Sequence, residues 1–251
     1  MTNWSAIDSG STIGKILRAP LRLIPRETIL TIRSGAAAGL KWKVGAGDHG
    51  CWLGTYELQK QRAWVNFLRP SMTVYDIGAQ AGFYSLVSAR AVGPAGRVYS
   101  FEPCPYECRF LLDNVKANRL PNIRVIQAAV SASSGFAGIT VDKDQTQNSL
   151  CALEDTLLSV PVLCLDQIEI PPPDLIKMDV EGAESDVLIG GRTLIKTKRP
   201  VIFVALHGTE QIEKCSVILR QYDYKLFYLD GSPVDRLPLS DEIYAVPNSL
   251  C

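Results

Sequence analysis

Val74-Tyr75-Asp76-Ile77-Gly78-Ala79-Gln80-Ala81-Gly82-Phe83-Tyr84-Ser85 constrains this chain more than any other segment. An apolar run with an acid near its end passes through two glycines into a helical pattern, expected over roughly 82–92. A strand that enters a tight turn brings its backbone close to a ligand only where side chains are absent, and Gly78 and Gly82 supply that absence. The helix that follows offers unpaired N–H groups at its start. The spacing is Asp-x-Gly-x-x-x-Gly, and Gln80 stands where the dinucleotide fingerprint needs its second glycine. That removes the seat for a pyrophosphate and counts against an NAD-dependent dehydrogenase. A nucleoside cofactor without a diphosphate fits better.

A second acid narrows the ligand. Arg97 to Phe101 reads as the next strand, and Glu102 closes it twenty residues beyond Gly82. A carboxylate at the tip of the second strand of a doubly wound sheet can accept from two ribose hydroxyls, one on each oxygen. The alternative is an acid that merely precedes a helix after Pro103. From Thr73 onward strands and helices alternate, which predicts an α/β fold with a mostly parallel sheet. Strands are expected near 73–77, 97–101, 123–128, 175–178, 201–206, 225–229 and 243–246. The stretch 131–173 interrupts this rhythm with short strand candidates at 138–141 and 160–163 around a polar loop, a place where substrate selection can reside.

Ligands of such a sheet lie beyond the carboxyl ends of its strands. The residues at those exits are Asp76 and Gly78, then Glu102, Ala128 and Ala129, Asp179, and His207. Alanines at 128 and 129 leave room for a flat base, though alanine at a strand end is also ordinary packing. Asp179 can orient a hydroxyl or accept its proton; alternatively, Asp179 with Glu181 can hold a divalent cation that acidifies it. Glu184 reads as an acid that complements the next helix dipole. His207 and His49 are the two histidines, and His207, following Val201 to Leu206, is the better placed general base. Tyr56 and Glu57 either contact the amino-acid end of a cofactor or form a buried aromatic with a helix-start acid.

These segments, together with Leu163-Cys164-Leu165-Asp166, Leu175-Ile176-Lys177-Met178-Asp179-Val180-Glu181-Gly182-Ala183-Glu184 and Leu206-His207, resemble the FkbM-type S-adenosylmethionine-dependent methyltransferases. The resemblance runs from about Leu53 onward, and the Asp-Val-Glu-Gly-Ala-Glu block is its most specific part. It implies a seven-stranded methyltransferase sheet, S-adenosylmethionine as cofactor, and a hydroxylated small molecule, a sugar or secondary metabolite, as acceptor. On that basis Asp179, Glu181 and His207 are the expected catalytic residues. Asp76, Gly78, Ala79, Gln80, Gly82, Phe83, Glu102, Pro103, Ala128 and Ala129 are expected around the cofactor, with Tyr56 and Glu57 folding over it. No metal is assigned. Two positions depart from the family pattern: Gln80 replaces a usual asparagine, and Ala205 stands where an acid often precedes the histidine by two positions. Ala205 keeps open a scaffold protein that binds cofactor without catalysis, and N-methylation is a further alternative.

The composition excludes other classes. Lys plus Arg equals Asp plus Glu at 26 each, so no global field draws in nucleic acid or an anionic membrane. No run approaches the roughly 20 apolar residues of a bilayer span, and no signal-peptide pattern opens the chain, so a cytoplasmic protein is expected. Seven cysteines without a Cys-x-x-Cys pair read as apolar fillers. Residues 1–50 are expected to form an accessory segment before a methyltransferase domain at 51–251. That segment holds a basic amphipathic stripe from Ile13 to Ile24, which packs on the domain or on a second subunit, or touches a membrane. A β-hairpin from 28–33 and 40–44 follows it.

Overall fold

The computed structural model describes residues 21, 23–140, 149–153, 156 and 158–250. An antiparallel hairpin opens it, β1 (Ile29–Thr31) and β2 (Lys41–Lys43), at the expected place. Short helices α1 (His49–Leu53) and α2 (Leu58–Val65) lead to the first strand of the main sheet. Its seven strands are β3 (Thr73–Ile77), β4 (Arg97–Phe101), β5 (Ile123–Ile126), β10 (Leu175–Met178), β11 (Val201–Ala205), β12 (Tyr224–Tyr228) and β13 (Glu242–Pro247). They are ordered β12-β13-β11-β10-β3-β4-β5. All neighbours are parallel except β13, which runs antiparallel between β11 and β12. The order reverses at β3 and β10, so the crevice at their carboxyl ends is where such a sheet holds its ligand.

Alternation along the strands feeds two apolar layers. Val74 and Phe203 face a cluster with Trp64, Leu86 and Phe110, contributed by α2, α3 (Phe83–Val92) and α4 (Pro105–Asn118). Tyr75, Ile77, Ile202 and Val204 face the other cluster, closed by α5 (Glu184–Gly190), α6 (Arg192–Lys198) and α7 (Thr209–Gln221). Helices therefore cover both faces of the sheet.

Two parts differ from the expectation. The third strand stops at Ile126 rather than running to Ala128, because the chain leaves the main sheet there for a second one. That sheet, ordered β6-β9-β7-β8, is made of β6 (Ala129–Val130), β7 (Gly135–Thr140), β8 (Ser149–Cys151) and β9 (Ser159–Leu163). The stretch that broke the strand-helix rhythm is thus a small sheet of its own. Most of the basic stripe lies outside the described residues. Leu21 and Ile24, which are described, pack against the cluster that contains Trp42 and Trp64. Among the described residues no helix is long and apolar enough to cross a membrane. Five of the six cysteines described are buried and all are free.

The hairpin is tied to the main fold by α4. Asn114, fully buried, accepts the Lys43 backbone N–H at 2.9 Å and donates to the Ala81 carbonyl at 3.0 Å. Asn118 pairs with both backbone groups of Lys41 at 2.7 Å. One amide thus joins β2 to the glycine turn after β3. Asn114→Ala leaves a buried N–H and a buried carbonyl unpaired, so urea denaturation is expected to show a loss of about 1–3 kcal/mol, with weaker cofactor binding in calorimetry.

Candidate active site

The glycine turn after β3 is compressed from one side by the turn after β10. Gly78 has φ +75°, and a Cβ there would stand 1.7 Å from the Asp179 carbonyl oxygen. Only glycine fits such an approach. Gln80 also takes the left-handed conformation at φ 47°, a region that asparagine occupies more readily than most residues. That geometry turns the Gln80 N–H to Glu102 Oε2 at 2.8 Å.

Glu102 receives a second backbone donor, Cys104 N–H at 2.8 Å on Oε1. Burial pushes its carboxyl up to about 7, with the two N–H groups opposing. Beside it Gly78, Gln80, Pro103, Ala128, Ala129 and Leu150 line a cavity that also reaches Asp179 and Glu181. Small residues at 128 and 129 face the acid across this space, and Leu150 shows that the second sheet contributes to its wall. A second cavity of about 330 Å³ adjoins it past Gln80, lined by Tyr56, Glu57, Ala79, Gly82, Phe83 and Lys177 among others. It shares Gln80, Asp179 and Glu181 with the first. Asp76 lines neither cavity. Its fully buried carboxylate accepts from Ser85 Oγ at 2.5 Å and faces Lys177 Nζ at 3.6 Å, beneath the turn.

Two buried lysines organise the acids. Lys177 Nζ donates to the Gly78 carbonyl at 2.7 Å and lies 3.5 Å from Asp179 Oδ2. Lys60, from α2, contacts Glu242 Oε1 at 2.6 Å, Glu57 Oε2 at 3.4 Å and Asp179 Oδ2 at 4.0 Å. Burial works against ionisation of Asp179, but Lys177, Lys60 and His207 outweigh it and hold its carboxyl below the usual range. Glu57 also accepts from the Tyr84 hydroxyl at 2.8 Å, which ties this segment to the first turn of α3.

His207 follows β11, with its side chain one-third exposed; like Asp76 it lines neither cavity, and it meets them through Asp179 and Glu181. Its Nδ1 lies 2.6 Å from Oε1 of the fully buried Glu184, and its Nε2 lies 3.5 Å from Glu181 and 3.7 Å from Asp179. Glu184 opens α5 as an acid in its first turn, as expected, and its carboxylate also grips the imidazole and the Gly182 N–H. The hydrogen bond to Glu184 chiefly raises His207 to about 9, with Glu181, Glu184 and Asp179 adding by charge and burial opposing. Ala205, the departure from the family pattern, sits opposite Glu242 in the antiparallel β11–β13 pair. Cross-strand partners project to the same face, so the neighbouring strand brings an acid beside Ala205, where it meets Lys60.

Lys60, Lys177 and Glu242 escaped the sequence reading. Lys177 carried a signal, a charge inside the apolar run Leu175 to Met178. The Lys60–Glu242 contact spans 182 positions and had none. For a divalent cation, the ligand atoms of Asp179, Glu181 and His207 lie within 4.8 Å of one another, a mixed nitrogen and oxygen set.

The fold and its crevice define an α/β methyltransferase. The description "Methyltransferase FkbM domain" matches residues 76–226, and the chain belongs to that family. S-adenosylmethionine is accordingly its methyl donor. The residues fit that cofactor: Gly78 leaves no room for a side chain, and Glu102 stands ready at the second strand tip. The chain is 28% identical over 191 residues to "2-O-methyltransferase NoeI" of Sinorhizobium fredii (strain NBRC 101917 / NGR234), covering 66% of this chain and 77% of that protein. The crystal structure of Methyltransferase FkbM from Methylobacillus flagellatus KT shares the fold, with a TM-score of 0.51 at 19% identity. That match covers 80% of this chain and 56% of the other, so the chain spans little more than half of that structure.

Lys177 is the group whose removal is expected to damage this arrangement most. Lys177→Met leaves Asp76 buried without its cation, and a loss of about 3 kcal/mol or more is expected in chemical denaturation. Adding Asp76→Asn to the same chain is expected to recover part of it.

Proposed function

We propose that the protein methylates a hydroxyl oxygen of a small molecule, a sugar or a related metabolite, with His207 as general base. The observation that carries this reading is the Glu184–His207 pair at 2.6 Å, with Nε2 turned towards Asp179 and Glu181 at the cavity rim. A carboxylate on Nδ1 fixes the ring proton there and leaves Nε2 to take a proton from an acceptor. The name of the 28% identical relative, a 2-O-methyltransferase, supports oxygen as the accepting atom.

The bound cofactor supplies an electrophilic methyl group. Glu102 would hold its ribose hydroxyls, Gly78 lets the Asp179 backbone close in beside the turn, and Tyr56 and Phe83 would wall off water. Asp179, kept ionised by Lys177 and Lys60, orients the acceptor hydroxyl. His207 then accepts its proton, and the Glu184 and Glu181 carboxylates stabilise the imidazolium that forms. A merely cofactor-binding scaffold has no use for a base held this way. Glu242 opposite Ala205 supplies an acid beside that position, which supports the catalytic reading over the scaffold.

Two measurements bear on the base. His207→Ala is expected to lower kcat by about 10²–10⁴-fold while calorimetry shows unchanged cofactor binding; an unaffected rate contradicts the assignment. With the folded His207 at about 9, the free protein carries an imidazolium at neutral pH. The base-competent form grows with pH, so kcat/KM is expected to rise to a plateau above about 9 and to lose that dependence in His207→Gln. The stabilising part of this interaction is complete below the ordinary histidine value near 6.5 and fades as pH rises through 9.

The cluster Asp179, Glu181 and His207 favours one second reading, a divalent cation that acidifies the acceptor. Activity that survives dialysis against EDTA supports the base. Activity lost and then restored by Mg²⁺ or Mn²⁺ supports the cation.

A further inference from the structure

The larger cavity has on its wall a carboxylate that the proposed reaction leaves unused. Glu107, in the first turn of α4, lines it opposite Gln80 and Phe83 and is only 6% exposed. Glu102, five positions earlier and equally buried, accepts two backbone N–H groups. Among the described residues, none hydrogen-bonds or ion-pairs with the Glu107 side chain. Burial alone pushes its carboxyl up to about 7. A carboxylate kept out of water with no partner destabilises the fold. At a cavity wall, a ligand can supply that partner.

The rest of the lining says which kind of ligand. Asp48, Glu57, Asp179 and Glu181 share the cavity with Glu107, and Lys177 is the lysine among its lining residues. Lys177 is already committed to the Gly78 carbonyl, Asp76 and Asp179. Glu57, Asp179 and Glu181 are engaged by Tyr84, the buried lysines and His207. An ammonium entering here would find Glu107 buried at the wall and, among the described residues, without a partner.

We propose that Glu107 is a binding residue that receives a protonated amine carried by a ligand in this cavity. The proposal rests on the reading of the neighbouring cavity as the nucleoside end of the cofactor, where Glu102 serves the ribose. Two sources of the amine share this chemistry, the methionyl end of the cofactor and an amino group on the acceptor.

Calorimetry separates them, with S-adenosylhomocysteine and its deaminated analogue titrated into wild-type and Glu107→Gln protein. Glucose and glucosamine are then titrated into each protein saturated with S-adenosylhomocysteine. If the cofactor supplies the amine, Glu107→Gln weakens S-adenosylhomocysteine about tenfold or more and leaves the deaminated analogue unchanged. If the acceptor supplies it, S-adenosylhomocysteine binds both proteins equally, and the wild type prefers glucosamine over glucose while Glu107→Gln does not. The variant is expected to melt at or above the wild-type temperature, since it removes an uncompensated buried acid. The comparison of amino and deaminated ligands on the wild type alone reads the amine without any substitution. Intact S-adenosylhomocysteine binding with no effect of Glu107→Gln on any of these ligands overturns the proposal. Absence of S-adenosylhomocysteine binding to the wild type would instead fail the cofactor reading beneath it.

Discussion

Lys177 is the hinge of this molecule. Its ammonium, sealed in the core at the exit of β10, holds the Gly78 carbonyl, Asp76 and Asp179 together. Those contacts join the two central strands of the sheet where its order reverses, and they set the distance between the cofactor turn and the acceptor side. An ammonium so deeply buried stays charged only because Asp179 and Asp76 outweigh the loss of water. Remove the acids and the lysine becomes a liability; remove the lysine and two carboxylates are stranded. The site is therefore built as one electrostatic unit.

Around that unit negative charge exceeds positive. Lys60 and Lys177 face Asp76, Asp179, Glu57 and Glu242, and Glu181 with Glu184 add two more acids on the histidine side. His207 answers by holding a proton well above its ordinary range. The positive charge of a bound sulfonium cofactor would oppose protonation of His207 and so lower the value at which it lets its proton go. Binding and base strength are coupled through the same carboxylates.

Much of the fold was legible because its strands are local signals. The runs at 73–77, 97–101 and 175–178 are apolar, short and bounded by turns, and they appear with those limits. The insert was legible in part: the candidates at 138–141 and 160–163 fall in β7 and β9, whereas β6 has two residues with a partner more than thirty positions away and β8 has three. Within the site, Gly78, Glu102, Asp179 and His207 announced themselves by standing at strand exits. Lys60 and Glu242 did not, because a helix lysine and an acid at the start of β13 acquire meaning only when folding brings them 2.6 Å apart. Glu184 was visible but assigned to a helix dipole, since nothing local points it at a histidine 23 positions away. Ala205 shows the same limit: only the β-ladder reveals that Glu242 stands opposite it.

The charge state of His207 tests this picture most directly, and the chain has only one other histidine, His49, to tell it from. A ¹⁵N-imidazole NMR titration of the free protein is expected to show an imidazolium through neutral pH that deprotonates near 9, with the proton remaining on Nδ1 beside Glu184. Titration at or below the ordinary value near 6.5, or a neutral form protonated on Nε2, would contradict it.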